Sequence, residues 1–339
     1  MPVPELDYRD EDRFIWEQEL DEFVPQRMFD AHFHLYNNDH MDEANRPEGG
    51  EKHFSDVDWS DALEWSNTLF PGREPHYLCL CMPLPGIDVE RHSHWVADQA
   101  KVDPCSCVNR LVTPACKIET IERDMETVPN FIGFKVYRFF SVTGDIARCR
   151  IHEFFTHEQM ELANELGCWV TMHLSQYHGC ADADNLKDLE EYTGKRYPNI
   201  KWILAHCARS FTYWPIRHAV QHLRDMPNIW YDLSAVTDVR PFITLFQKED
   251  TKRLMYGSDG VCANSHHGQY PALGRAWRGL EADALDWEFP HCDGRPIISL
   301  YEQILSMKHA AEIAELSRDD IEDIFWRNAY REFGFSANV

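Results

Sequence analysis

The feature that most constrains this chain is a recurrence. Eight short apolar runs, rich in β-branched and aromatic residues, are each followed by a stretch that can form a helix. They cover residues 27–34, 77–82, 107–113, 131–137, 168–173, 201–206, 228–234 and 253–258. Near-continuous hydrophobicity is what strands covered on both faces require, and helical segments between strands demand parallel crossovers in place of hairpins. The pattern predicts an α/β fold, a (β/α)8 TIM barrel, built by residues 1–339 as one domain with residues 1–26 as an acidic N-terminal extension.

Boundary signals support the helices between the runs. Thr156 with Gln159 has capping-box spacing, Met160, Ala163 and Leu166 recur at helical period, and Gly167 supplies a stop. Ser317 with Asp320 repeats the logic ahead of Ile321, Ile324 and Phe325, and Gly334 ends the helix that closes the ring. Residues 37–75 have turn and loop chemistry and are expected as an inserted surface loop. A second polar insertion is expected over 261–296, both emerging at the C-terminal face of the barrel, where ligands bind.

Charge narrows the partners. With 33 Lys+Arg against 57 Asp+Glu the formal net charge is −24, so the field of the protein repels phosphate backbones and anionic lipid. No nucleic-acid partner is expected, and no membrane partner, since no run of about 18 apolar residues occurs. The acidic N-terminus lacks an apolar signal region, and the 11 cysteines read as reduced thiols, so a cytoplasmic location is expected. Cys79, Cys81, Cys105 and Cys107 lack the paired CxxC spacing of a structural zinc site and are expected to pack as small hydrophobes.

The position of ionisable residues within the runs carries the chemistry. In a parallel barrel the C-terminal strand ends converge on one mouth, so groups there meet in space although they are distant in sequence. His32 and His34 end the first run and, two apart, share a face. Lys135 lies near the end of the fourth, His173 and His206 end the fifth and sixth, and Asp259 directly follows the eighth. Four imidazoles and a carboxylate gathered without a cation would leave polar groups short of partners, at roughly 1–3 kcal/mol each. By ligand type the set is a metal site. Tyr137, Arg138 and Arg209 lie just beyond the fourth and sixth runs, where a guanidinium holds a substrate carboxylate bidentately unless it is engaged in a loop salt bridge. His178, His266 and His267 are expected as solvated loop histidines.

The segments FDAHFHLY, GFKVY, VTMHL, ILAHC, LMYGSD and RNAYREFG together resemble the amidohydrolase superfamily of metal-dependent barrels, within it the amidohydrolase-2 branch of decarboxylases and lactone hydrolases. The resemblance implies that His32, His34, His173 and Asp259 bind the main divalent metal. It implies that His206 binds a second ion or stands free as a catalytic group. It also implies that Lys135, if carboxylated, bridges two ions as a further ligand. Zinc is the expected ion, with manganese, iron and cobalt as alternatives, at one or two per chain. Asp30 matches the first residue of the family's DxHxH pattern and is expected to orient a ligand from behind. The substrate is a small molecule, and a homodimer is the expected assembly.

Two reactions fit this set. A metal-bound water activated toward a pKa of roughly 7 would attack an amide, lactone or ester-like carbonyl of a small anionic or aromatic molecule, with Asp259 as general base and then acid. This hydrolase is the favoured reading. The alternative is a decarboxylase of an aromatic or unsaturated carboxylic acid, favoured by a single ion and a free His206.

Overall fold

The apolar runs become strands because both of their faces are buried, one in the packed interior of the barrel and the other under the helices outside it. In a computed structural model of the chain, which describes residues 6, 8–42, 56–260, 267–268, 270–278, 291 and 295–335, the strands are β1 (Arg27–Leu35), β2 (Glu74–Cys81), β3 (Cys107–Leu111), β4 (Phe131–Tyr137), β5 (Trp169–His173), β6 (Lys201–Leu204), β7 (Ile229–Asp232) and β8 (Leu254–Met255). They form one sheet in sequence order, each neighbour pair parallel. Its two edges are drawn together where the Ala31 N–H donates to the Tyr256 carbonyl at 2.9 Å and the Asp259 N–H to the His32 carbonyl at 2.8 Å. This is the expected (β/α)8 barrel.

Strands six and eight are shorter than the apolar runs suggested. After Leu204 the chain leaves the ladder, and His206 sits in a left-handed turn instead of at the end of a strand. Gly133 is dictated by packing between β4 and β5, since a Cβ there would lie 1.7 Å from the Trp169 carbonyl oxygen. Within the ring, Phe29, Leu78, Leu80, Trp169, Ile203 and Met255 belong to one buried apolar cluster with Tyr330, so the barrel is packed and not a pore.

Both predicted capping boxes are present, at Thr156 before the helix His157–Leu166 and at Ser317 before Arg318–Glu322, and Gly167 and Gly334 take the left-handed conformation as stops. The last helical stretch is interrupted by a wide turn over Asp323–Arg327 before Asn328–Phe333.

The stretch 37–75 departs from expectation. Its described part contains the helix Trp59–Leu69, capped by Asp58 and burying Trp59, Ala62, Trp65 and Leu69, because apolar residues at helical spacing outweigh the flanking loop chemistry. Residues 43–55 lie outside the described residues. Within the second insertion the described part holds a hairpin of β9 (Ala272–Leu273) and β10 (Ala276–Trp277). At the N-terminus, Trp16, Leu20 and Val24 are buried in the main core, so this acidic segment packs against the barrel. Among the described residues, no helix is long and apolar enough to cross a membrane.

Candidate metal centre

The mouth of the barrel is where strand ends deliver their side chains. On β1 the register with β2 shifts between Asp30 and Phe33, and such a bulge re-aims side chains. His32 and His34 both turn into the mouth, their Nε2 atoms 3.3 Å apart. Asp259, at φ +62 just after β8, brings Oδ1 to 3.4 Å from His32 Nε2 and 3.5 Å from His34 Nε2. A tetrahedral shell at ligand distances of about 2.0–2.1 Å has edges of roughly 3.3–3.4 Å. The three donors therefore have the spacing of one face of such a shell. His206 joins them, with His32, His206 and Asp259 each offering a ligand atom within 4.8 Å of the others.

Tautomers follow from the second nitrogen of each ring. His32 Nδ1 lies 2.9 Å from Asp232 Oδ2, His173 Nδ1 2.9 Å from the Leu174 carbonyl, and His206 Nδ1 3.2 Å from the Ser234 carbonyl. An acceptor at Nδ1 fixes the proton there and leaves the Nε2 lone pair for the mouth. Burial, then the charge of Lys135, pushes His32 down to about 3. Burial likewise lowers His34, and it holds His173 well below the usual histidine range, helped by His206, Arg209 and Arg138. All three are neutral at neutral pH, the form that binds metal. Burial would raise Asp259, but its neighbours His34, His206 and His32 hold it at about 2. In the deprotonated form that binds metal, the two Nε2 atoms and the carboxylate oxygen, 3.3–3.5 Å apart, would repel unless a cation lay between them. In addition, His34 Nδ1 is buried with no partner. The residues fit a divalent ion.

Lys135 is completely buried, and its Nζ lies 3.1 Å from His32 Nε2, so the strand-four lysine enters the cluster as the sequence placed it. Tyr137 pairs in register with His173 and packs its ring 4.8 Å from that imidazole. Arg138 and Arg209 border the same side, each bonded to a backbone carbonyl, of Ile146 and Gln176 respectively. Asp30 accepts from the backbone N–H groups of His32 and Ser258, at 3.0 and 2.9 Å. It thus ties β1 to the turn after β8, while the ring of His32 is oriented by a different acid.

That acid, Asp232, was missed in the sequence. It ends β7, is fully buried, bonds His32 at Nδ1 and accepts the His206 backbone N–H at 3.0 Å. The signal was available, since a carboxylate at a C-terminal strand end obeys the same positional rule as the other candidates. Ser234, with Oγ 3.0 Å from His206 Nδ1, was missed with it. His178 is exposed against Trp214, as expected of a loop histidine. His267 differs: it is buried, with Nε2 2.8 Å from Asp12, because the N-terminal helix reaches it. His266 lies outside the described residues.

The strain of the site is concentrated after β6. His206, Cys207, Ala208 and Arg209 have φ of 58°, 52°, 58° and 58°, a left-handed turn that costs roughly 1–2 kcal/mol per residue. Bonds from the His206 N–H to Asp232, from the Ser210 N–H to the His206 carbonyl at 2.8 Å, and from Arg209 to Gln176 hold it in place. The turn sets His206 and Arg209, three residues apart, toward the mouth.

Comparison with known proteins agrees with this architecture. Several solved structures superpose over nearly the whole chain. The 5-carboxyvanillate decarboxylase of Sphingomonas paucimobilis has a TM-score of 0.54 and 13% identity, covering 92% of this chain and 100% of that one. A dihydroxybenzoic acid decarboxylase from a Polaromonas species, with bound manganese and 2-nitroresorcinol, gives 0.55 and 13%, covering 92% and 97%. The 5-carboxyvanillate decarboxylase of Novosphingobium aromaticivorans, with manganese and 4-hydroxy-3-methoxy-5-nitrobenzoic acid, gives 0.54 and 13%, covering 99% and 100%. At such identities the likeness speaks for the fold. No curated protein matches the sequence. A family model described as amidohydrolase, that of the amidohydrolase-2 family, matches residues 90–335, well over half of the chain, and the chain belongs to that family.

Proposed function

We propose that this protein is a divalent-metal-dependent decarboxylase of a small aromatic or unsaturated carboxylic acid. The observation that carries the reading is the three-donor face of His32, His34 and Asp259, bordered by Arg138 and Arg209 on a chain that is otherwise strongly acidic. His173 and His206 complete the donor set, and Tyr137, Arg138 and Arg209 form the substrate-binding wall. Decarboxylases among the similar folds, two of them with manganese, support this reaction over hydrolysis, and make manganese as good a candidate as zinc. When bound, the ion would act as a Lewis acid on substrate oxygens.

The protein's own residues then handle one proton. Asp259 is ionised at neutral pH and accepts the proton of a substrate hydroxyl. His206, with its Nδ1 proton committed to the Ser234 carbonyl, keeps its Nε2 lone pair facing the mouth as a ligand for the ion. As the carbon–carboxylate bond breaks, its electron pair stays on the ring carbon and CO2 departs. Asp259 delivers its proton to that carbon. The hydroxyl oxygen, left as an oxyanion by that transfer, takes a proton from water, so the products are CO2 and the substrate with hydrogen in place of the carboxylate, with no oxidant consumed.

Hydrolysis of an amide, lactone or ester remains a second reading because Lys135 enters the cluster 3.1 Å from His32, where a carboxylated side chain would support a second ion. One experiment separates them. Protein loaded with manganese, zinc or cobalt is supplied with hydroxybenzoates in D2O, and with aryl esters and lactones in H2-18O, while metal is counted per chain. CO2 release with one deuterium on the ring carbon and one ion supports the decarboxylase. Label from water in a carboxylate product with two ions supports the hydrolase and overturns it.

A further inference from the structure

Resting on the decarboxylase reading, we infer that Arg138 and Arg209 form a subsite for a second acidic group of the substrate, distinct from the carboxylate that is lost, so that the substrate is a diacid.

The two guanidiniums share one frame. Arg138 follows the rung in which Tyr137 pairs with His173, and its Nη1 donates to the Ile146 carbonyl at 2.7 Å. Arg209 follows the left-handed turn and donates from Nη1 to the Gln176 carbonyl. Gln176 in turn donates its amide to the carbonyls of Arg148, at 2.6 Å, and Cys149, at 3.1 Å. The segment that holds Arg138 is thus fastened to the residue that holds Arg209. Each charge is felt by its neighbours: burial and then Arg138 push Arg209 down to about 10, and both arginines disfavour protonation of His173.

Among the described residues the pair lacks a counterion. Neither guanidinium has a carboxylate within ion-pair distance among the described residues, and the Nε atoms of both are buried without a partner. A guanidinium has five donors, and a buried donor of a charged group left without an acceptor is costlier than a neutral one. In a chain with 57 acidic against 33 basic residues, two guanidiniums fastened into one frame and without an acid among the described residues are a site for an anion from outside.

That anion is not the reacting carboxylate. As the carboxylate leaves it becomes neutral CO2, so a bidentate cation clamped on it would stabilise the ground state more than the transition state and slow the reaction. A guanidinium pair accelerates turnover only when it grips a group whose charge persists, and thereby fixes the ring against the metal-facing residues.

The test is binding. Manganese-loaded protein is titrated calorimetrically with benzoate and with phthalate, isophthalate and terephthalate as probes. The best of the three diacids is expected to bind at least tenfold tighter than benzoate. In Arg138→Gln and in Arg209→Gln that preference should collapse to below threefold, with Arg209→Lys restoring part of it. Diacid preference that is absent in the wild type, or unchanged in both variants, overturns the inference. Thermal unfolding checks each variant, and if Arg209→Gln does not fold, Arg138→Gln, which leaves the strained turn intact, decides alone. Failure of CO2 release with diacid selectivity intact would sink the reaction but not the subsite, whereas CO2 release from monoacids without that selectivity would do the reverse.

Discussion

Asp232 Oδ2 holds His32 at Nδ1 over 2.9 Å, while Oδ1 of the same carboxylate accepts the backbone N–H of His206 at 3.0 Å. One acid on β7 therefore positions an imidazole from β1 and another from the turn after β6. Its neighbours His32, His206 and Ser234 hold this carboxyl below the usual carboxylate range against the burial that would raise it. In Asp232→Asn the charge is lost and the amide can present a donor to Nδ1, so the His32 tautomer is no longer fixed. Metal affinity is expected to fall about 10–100-fold, as for other partners behind a ligand. Competition against a fluorescent chelator measures it, and an unchanged dissociation constant would remove Asp232 from this role.

Asp259→Asn separates metal binding from proton transfer. The amide oxygen can still face the ion from the position that lies 3.4 and 3.5 Å from the two imidazoles, but it no longer accepts a proton. Turnover should drop by about 10²–10⁴-fold, the usual contribution of a positioned acid or base, with the metal content per chain retained. Near-native turnover would assign the proton to another group.

Much of this was legible in the sequence, for a physical reason. Lys135 and His173 could be placed because β4 and β5 end where their apolar runs end, so position in the run is position at the mouth. His206 lies beside His32 and Asp259, but in a local structure other than the strand end expected: no feature of AHCAR announces four consecutive left-handed residues, since Ala and Cys have no preference for positive φ and the turn is imposed by Asp232, Ser210 and Gln176. Asp30, at even spacing from His32 and His34, looked like a partner of the rings. The β1 bulge breaks that alternation, and Asp30 bonds backbone instead. His267 was misplaced because its partner, Asp12, is 255 residues away, and no local pattern encodes such a contact.

The left-handed turn gives a signed stability test. Ala208, buried at φ +58, suffers a Cβ clash that glycine would escape. The relief offsets the lost methyl burial and the added unfolded-state entropy, so Ala208→Gly should be near neutral. Ala163, buried in the right-handed helix His157–Leu166, has no such relief. Ala163→Gly should be the less stable of the two by about 1–2 kcal/mol. Urea midpoints at constant m-value compare them, and equal losses would mean that the turn is not strained.

A last prediction concerns acid stability at a buried histidine beside the metal-facing residues. His92 is fully buried, its Nε2 accepts the Met82 N–H at 3.1 Å, and its Nδ1 lies 3.0 Å from His40 Nδ1. His92 therefore carries its proton on Nδ1 and donates to His40. Burial, then the neighbouring His40 and His34, pushes it down to about 3, against about 6.5 in an unfolded chain. Between those values the unfolded chain binds a proton that the fold refuses. The neutral ring's contribution is thus fully present above pH 6.5 and is lost as pH falls toward 3, by at most about 1.4 kcal/mol per pH unit. His92→Asn removes the titrating group together with the bond to Met82, so it should be destabilised at pH 7 but lose less on acidification. The gap between wild type and variant, measured by urea unfolding of chelator-treated protein, should narrow from pH 7 to pH 4. A constant gap over that range would mean that His92 is protonated as readily in the fold as outside it.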